Sequence, residues 1–345
     1  MWTRPLLVGS GVVAAFRDGR VVAYDRATGA VVWQRKFPGP FNGLNLVLEG
    51  ARIIVPEYEV HAISAETGAL LWSFGGITGT AGVNTPAVSD GVVFTADAGS
   101  GVAVALDAAT GGVVWSVDIG EALFTPTLTD ELVLYGTRSY LGGPRVGPYG
   151  AGHLIALDRV TGDERWRFAF QDLPNLAGSG GLTNAGLVVG DRVILGGRDG
   201  RTYAIRIADG ELVWEQPGGN PINGGWYSHA GMLLNGLVTL VRGDGIVEAR
   251  DVDDGSLVWS TRISSTDTEA PVKCGNHLCT ALGRIWVLDG SGNILWAHGG
   301  GSTGTTYSSA PAVDTEGRIF IGARRAGTQA RFRAVQPPVT VGATQ

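Results

Sequence analysis

ALDAATGGVVW, residues 105 to 115, is the stretch that decides the fold, because the chain repeats it. AYDRATGAVVW (23 to 33), AISAETGALLW (62 to 72) and ALDRVTGDERW (156 to 166) share its template. AIRIADGELVW (204 to 214), ARDVDDGSLVW (249 to 259) and VLDGSGNILW (287 to 296), the last one residue short, are looser copies. Their tryptophans, Trp33, Trp72, Trp115, Trp166, Trp214, Trp259 and Trp296, stand 37 to 51 residues apart, a spacing that suits one four-stranded antiparallel sheet per repeat.

Each template position has a physical reason. The Asp can accept bonds from backbone N–H groups two or three residues on, and the Gly supplies the positive φ that closes the turn. Ser64 and Arg206 replace that Asp in the second and fifth copies, which predicts looser turns there. The Trp is large enough to wedge between neighbouring sheets, since a single sheet cannot bury both its faces alone. The strand before the turn, as in VAVAL (102 to 106), is a continuous apolar run, as burial on both faces requires. APAVDTEGRIFIGARR (310 to 325), followed by TQARFRAV, repeats the opening strands of a unit before the pattern lapses, so an eighth copy is degenerate.

The template resembles the tryptophan-docking motif A-x-D-x-x-T-G-x-x-x-W of the pyrroloquinoline-quinone (PQQ)-like, BamB-like β-propeller repeats, and the resemblance covers essentially the whole chain. It implies an all-β, eight-bladed β-propeller of four-stranded antiparallel blades with strands ordered from the axis outward. One domain, residues 1–345, is expected, with blades near 1–37, 38–76, 77–120, 121–172, 173–218, 219–263, 264–300 and 301–345. Trp2 precedes Pro5 by three positions whereas Trp115 precedes Pro126 by eleven, so the last blade is expected to close with VTVGATQ, residues 339–345, rather than with the N-terminus.

Antiparallel order puts the second-to-third turns and the connections between blades on one face. The long segments fall there: GGITGTAG (75 to 82), QPGGNPINGGWYS (216 to 228), AHGGGSTGTTYSS (297 to 309) and the insertion GTRSYLGGPRVGPYGAG (136 to 152). Long loops on a rigid scaffold are where binding resides. Residues that begin the innermost strands should ring a channel mouth on this face: Asn84, Thr125, Asn184, His229, Glu269 and Ser309, with Phe124, Trp226, Tyr227 and Tyr307 beside them. Polar groups among aromatics suit a polar ligand, a peptide or a glycan. The competing reading is a water-filled channel lined by solvated side chains.

The net charge of −6 gives no reason to expect nucleic acid or an anionic membrane as partner, and no apolar stretch approaches the length of a membrane span. RPLLVGSGVVAAFRDG at the start aligns with TPAVSDGVVFTADAG from residue 85, so it reads as a first hairpin and not as an export signal. Cys274 and Cys279 flank GNHL in a hairpin, either as a disulfide of an oxidising compartment or as two buried thiols. His61, His153, His229, His277 and His298 show no metal-ligand spacing, and His229 beside Tyr227 is the one acid/base candidate. No catalytic residue, metal or cofactor is predicted.

The family resemblance implies three classes to weigh, and a fourth stays open because the fold does not dictate the function. A quinoprotein dehydrogenase would hold PQQ against a disulfide of adjacent cysteines and bind calcium through acidic and amide side chains; here the cysteines are separated by four residues. A cell-envelope platform for a protein, peptide or glycan partner, monomeric and extracytoplasmic, is the reading adopted. A sensor domain of a receptor or serine/threonine kinase, and a lyase or isomerase using the channel mouth, are the alternatives.

Overall fold

The computed structural model describes residues 4–39, 41, 45–75, 84–97, 100–120, 125–137, 152–170, 181–182, 185–219, 230–265, 269–299, 305–307, 309–325 and 331–338. These residues form eight antiparallel sheets of four strands and no helix. The sheets, called blades 1 to 8, span residues 6–36, 47–74, 87–118, 127–169, 187–217, 232–262, 272–298 and 305–335. The chain divides into two compact units: residues 47–228 hold blades 2 to 5, and residues 1–46 with 229–345 hold blades 6, 7, 8 and 1.

Blade 3 shows how the template folds. Its strands are Ala87–Ser89, Val92–Ala96, Val102–Asp107 and Val113–Asp118, paired in sequence order. The Oδ1 of Asp107 accepts the amides of Ala109 (3.0 Å) and Thr110 (2.8 Å) and the Thr110 hydroxyl (2.8 Å), and Gly111 closes the turn at φ +75°. Register then slips by one: Ala105 faces Trp115, but Leu106 faces Val113. Val114 is thus the extra residue of a β-bulge, which re-aims the strand so that Val113 and Val114 both face outward and Trp115 turns in. The same slip occurs in blades 1, 2, 4, 5, 6 and 7.

The inward-turned indole docks on the following blade. Trp72 donates its Nε1–H to the carbonyl of Ala108 (3.0 Å), Trp115 to Arg159 (3.0 Å), Trp166 to Ile207 (2.7 Å) and Trp259 to Gly290 (3.0 Å). Each ring lies on the template glycine of that blade: a Cβ at Gly111, Gly162, Gly210 or Gly292 would come within 2.8 Å of it. The motif glycine therefore serves two ends, the positive φ of its own turn and the seat of its neighbour's tryptophan.

Between these dockings the third strands are buried on both faces. In blade 3, Val104 and Leu106 pack with Ile54, Ala62 and Trp72 of blade 2, while Ala103 and Ala105 pack with Val133, Tyr135 and Ile155 of blade 4. Burying such side chains stabilises by about 1.5–3 kcal/mol each, so the core is a series of layers between sheets. In the second unit Met232, Val247, Leu278 and Leu288 fill the layer between blades 6 and 7, and Cys279, Val287, Tyr307 and Ile321 the layer between 7 and 8.

Two readings need correcting or settling. The turns at Ser64 and Arg206 are not looser: Gly68 and Gly210 donate to the carbonyls of Ser64 and Arg206 at 2.9 Å, as Gly111 does to Asp107 at 2.8 Å. The glycine backbone closes the turn by itself; Ser64 Oγ still accepts the Thr67 amide (3.2 Å), and Arg206 pairs instead with Asp209 and Glu211. Cys274 and Cys279 are bonded to each other, diagonal neighbours across the hairpin of blade 7 with Cα atoms 5.9 Å apart. The closing segment 339–345 and residues 1–3 lie outside the described residues.

Candidate functional site

At the end of each sheet where the second strand turns into the third, short acidic turns recur. In blade 3 the carboxylate of Asp97 accepts the Ser100 amide (2.9 Å), in blade 1 Asp18 accepts the Arg20 amide (3.2 Å), and in blade 5 Asp199 accepts the Arg201 amide (3.1 Å). Blade 2 turns on Glu57, Tyr58 and Glu59, with the Glu57 amide donating to the Glu59 carbonyl at 2.9 Å, and this lifts Tyr58 into solvent at 47% exposure. Tyr58 is thus an exposed aromatic on an acidic turn.

The residues expected to begin the innermost strands share a local device. The amide of Asn84 donates to Ala96 (2.9 Å) and its carbonyl accepts the hydroxyl of Thr95 (3.1 Å). Glu269 repeats this with Ala281 (2.9 Å) and Thr280 (2.6 Å). These two therefore occupy equivalent positions in blades 3 and 7, pinned by a buried second-strand threonine. Glu269 and Thr125 are half-buried and Asn84 is buried.

Ser309 is fully buried, and its hydroxyl accepts the Gly322 amide at 3.0 Å. Tyr307 lies in the core layer between blades 7 and 8, 1% exposed, with burial pushing its phenol pKa up. Its ring stands 6.0 Å from that of His298, which in turn stacks on Trp296 at 5.2 Å. That placement is core rather than rim, because its backbone exchanges hydrogen bonds with Gly283 of blade 7 and draws the side chain between the sheets. Phe124, Asn184, Trp226, Tyr227 and His229 lie outside the described residues, as do most of the long loops.

Three buried polar groupings were not anticipated from the sequence. In blade 6, Glu248 and Arg250 stand on the third strand, 1% and 4% exposed, at positions that are Val104 and Leu106 in blade 3. Glu248 accepts from Arg242 Nη1 (2.9 Å) and Arg250 Nε (2.9 Å), Arg250 also reaches the Gly255 carbonyl (3.0 Å), and Arg242 donates on to Asp244 (2.7 Å). In blade 2, His61 lies between Ser73 Oγ (2.8 Å) and Glu57 Oε2 (3.4 Å). The signal was present in IVEARD and VHAIS, where a charged or imidazole side chain interrupts an apolar third strand. In blade 5 the carboxyl of Asp199, raised in pKa chiefly by burial, accepts the Tyr203 hydroxyl.

The resemblance-implied PQQ and calcium group finds no fit among these residues. Cys274 and Cys279 are separated by four residues, both fully buried in the layer between blades 7 and 8, and they sit at the end opposite the second-to-third turns. A disulfide so enclosed presents no face to a flat ring. Among the described residues no three His, Cys, Asp or Glu side chains converge to hold an ion.

Comparison with known proteins gives a consistent family and fold. Over 214 residues the chain is 29% identical to the outer membrane protein assembly factor BamB of Yersinia pestis, covering 62% of this chain and 43% of that protein. It is 32% identical over 151 residues to the quinohemoprotein alcohol dehydrogenase of Comamonas testosteroni, covering 43% and 20%. The chain thus spans less than half the length of these relatives. Among solved structures, BamB from Moraxella catarrhalis superposes with a TM-score of 0.69 at 18% identity, covering 95% of both chains. The Comamonas testosteroni dehydrogenase superposes at 0.74 and 16% identity, covering 93% of this chain and 70% of that one. At such identities the likeness shows the fold, the eight-bladed β-propeller. The family model described as outer membrane protein assembly factor BamB matches residues 2–86 and 56–225, most of the chain, and the protein therefore belongs to that family of PQQ-like β-propeller repeats.

Proposed function

We propose that this chain is a non-enzymatic, extracytoplasmic scaffold of the cell envelope that binds a protein partner through the end of the blades bearing the second-to-third turns. The observation that carries this reading is the family match over residues 2–225, to a family described by a role in outer membrane protein assembly. The disulfide between Cys274 and Cys279 agrees with an oxidising compartment. Tyr58 supplies an aromatic of the kind that dominates protein interfaces, beside the exposed carboxylate of Glu59, which favours a basic partner surface. An extended peptide or a glycan is the narrower form of the same reading, with the half-buried Thr125 and Glu269 at the strand starts as candidate contacts and Phe124, Asn184, Trp226, Tyr227 and His229, outside the described residues, as further candidates.

The test is site-directed photocrosslinking in cells. A benzoylphenylalanine at Tyr58 should give a discrete adduct with an envelope protein, and one at Val160, exposed on the opposite turns, should not. Equal labelling from both positions, or none from Tyr58, sinks the proposal.

The likeness to a quinohemoprotein alcohol dehydrogenase supports a second reading, a PQQ-dependent oxidoreductase. Titration with PQQ, with and without calcium, followed by tryptophan fluorescence separates the two. Saturable binding with turnover of a sugar or alcohol would favour the enzyme.

A further inference from the structure

In blade 2 a serine hydroxyl is bonded to an imidazole whose other nitrogen meets a carboxylate. Ser73, on the fourth strand Leu70–Phe74, stands directly opposite His61, on the third strand Val60–Ser64. Ser73 Oγ lies 2.8 Å from His61 Nδ1, and His61 Nε2 lies 3.4 Å from Glu57 Oε2. The three side chains differ in access. Those of His61 and Glu57 are 8% and 3% exposed, whereas Ser73 is an exposed residue. The hydroxyl is thus open to solvent, and the two groups behind it are shielded.

The blade does not need this set in order to fold. Blade 3 has Asp97 where blade 2 has Glu57, each the first residue after the second strand, and an exposed Ser116 where blade 2 has Ser73. Opposite Ser116, however, stands Val104. An apolar side chain serves at that position, so the buried imidazole and carboxylate of blade 2 bring a desolvation cost that packing does not require.

The order of the groups also fixes which nitrogen is basic. A carboxylate only accepts hydrogen bonds, so Nε2 carries the ring proton toward Glu57 and Nδ1 is left to accept from Ser73. That tautomer draws on the hydroxyl proton, the arrangement that activates a serine.

We infer that Ser73 is a nucleophilic serine that takes up an acyl group from a carboxylic ester, with His61 as its general base and Glu57 as a positioning residue. Ser73 Oγ attacks the ester carbonyl carbon, and the Oγ–C bond forms as the hydroxyl proton passes to His61 Nδ1. The bond from that carbon to the alcohol oxygen then breaks, and the leaving oxygen takes the proton from His61 and departs as the alcohol. Glu57 stabilises the imidazolium formed in between, and its 3.4 Å contact tightens as that charge develops. This goes beyond the partner-binding reading. Crosslinking from Tyr58 and acylation of Ser73 are separate events, so either can fail alone.

The experiment treats the whole chain with a fluorophosphonate probe, which phosphonylates activated serines with loss of fluoride, and in parallel with p-nitrophenyl acetate. The modified residue is located by peptide mass spectrometry. Ser73 should be labelled and Ser116 should not, with a burst of nitrophenol stoichiometric with the protein, and Ser73→Ala should abolish both signals. His61→Ala should slow labelling by about 100-fold or more. Glu57→Gln should lower the limiting rate at least about tenfold and leave the half-saturating ester concentration unchanged, a split that a purely structural role would not produce. Absent labelling, equal labelling of Ser116, or an unchanged rate in His61→Ala overturns the inference. Ser73→Ala removes only an exposed hydroxyl and Ser116 is a control within the unaltered chain, so the test stands even if His61→Ala fails to fold.

Discussion

The indole of Trp115 occupies the space in which any side chain on Gly162 would lie: a Cβ there would come within 2.8 Å of Cδ2 of the ring. Gly162→Ala therefore meets two penalties, the positive φ of +79° and the clash. The first costs about 1–2 kcal/mol and overpacking a further 1–3 kcal/mol or so. Gly29→Ala, at a φ of +73° with nothing within 4 Å of the added Cβ, bears only the first. Urea midpoints of the two variants should differ accordingly, and the Gly162 variant should also show a red-shifted tryptophan emission that the Gly29 variant lacks.

The Glu248 and Arg250 pair in blade 6 predicts strong non-additivity. Glu248→Leu leaves the Arg250 guanidinium buried without its carboxylate, a change that costs about 3–5 kcal/mol. Exchanging both for leucine restores the pattern that Val104 and Leu106 show in blade 3, and should return most of that loss. A double-mutant cycle read by urea unfolding checks it; additive effects would show that the pair is not coupled.

Replacing both Cys274 and Cys279 by alanine opens a short loop and should lower stability by roughly 2 kcal/mol. The protein should remain folded at room temperature by circular dichroism. Because both sulfurs are fully buried, the bond should also resist a mild reductant under native conditions and yield once urea is added.

Asp158 predicts a particular acid limb. Its carboxyl is held down to about 2 by the Arg165 guanidinium and by the Thr161 and Val160 amides. The folded value lies below the unfolded one, so this contribution is present above about pH 4 and is lost as the pH falls towards 2. Asp158→Asn should be less stable at neutral pH and should lose less on acidification through that window, measured as thermal midpoint against pH.

The repeat was legible because its physics is local. Asp107, Gly111 and Trp115 lie within nine residues, and each imposes one constraint that recurs: a capped turn, a positive φ, a large ring. The bulge at Val114 was not legible, since an extra residue in a strand changes register without changing residue type. The strand starts were legible as positions but not as environments: Asn84 and Ser309 read as polar rim residues, yet both are buried, Ser309 with its hydroxyl used by a backbone amide. Polar composition does not distinguish a solvated hydroxyl from one spent on the main chain. The polar cluster around Glu248 needed the opposite inference, that a charge in an apolar strand is paired rather than exposed.

The indole dockings also have a direction. Trp72 reaches forward to Ala108, Trp115 to Arg159 and Trp166 to Ile207, each toward the repeat that follows it in the chain. Such a junction has unlike halves, so cutting between two repeats leaves a bare indole on one fragment and a bare glycine seat on the other. Fragments of this protein carry mutually complementary ends, and head-to-tail reassembly, including between different molecules, is built into the polarity of the chain.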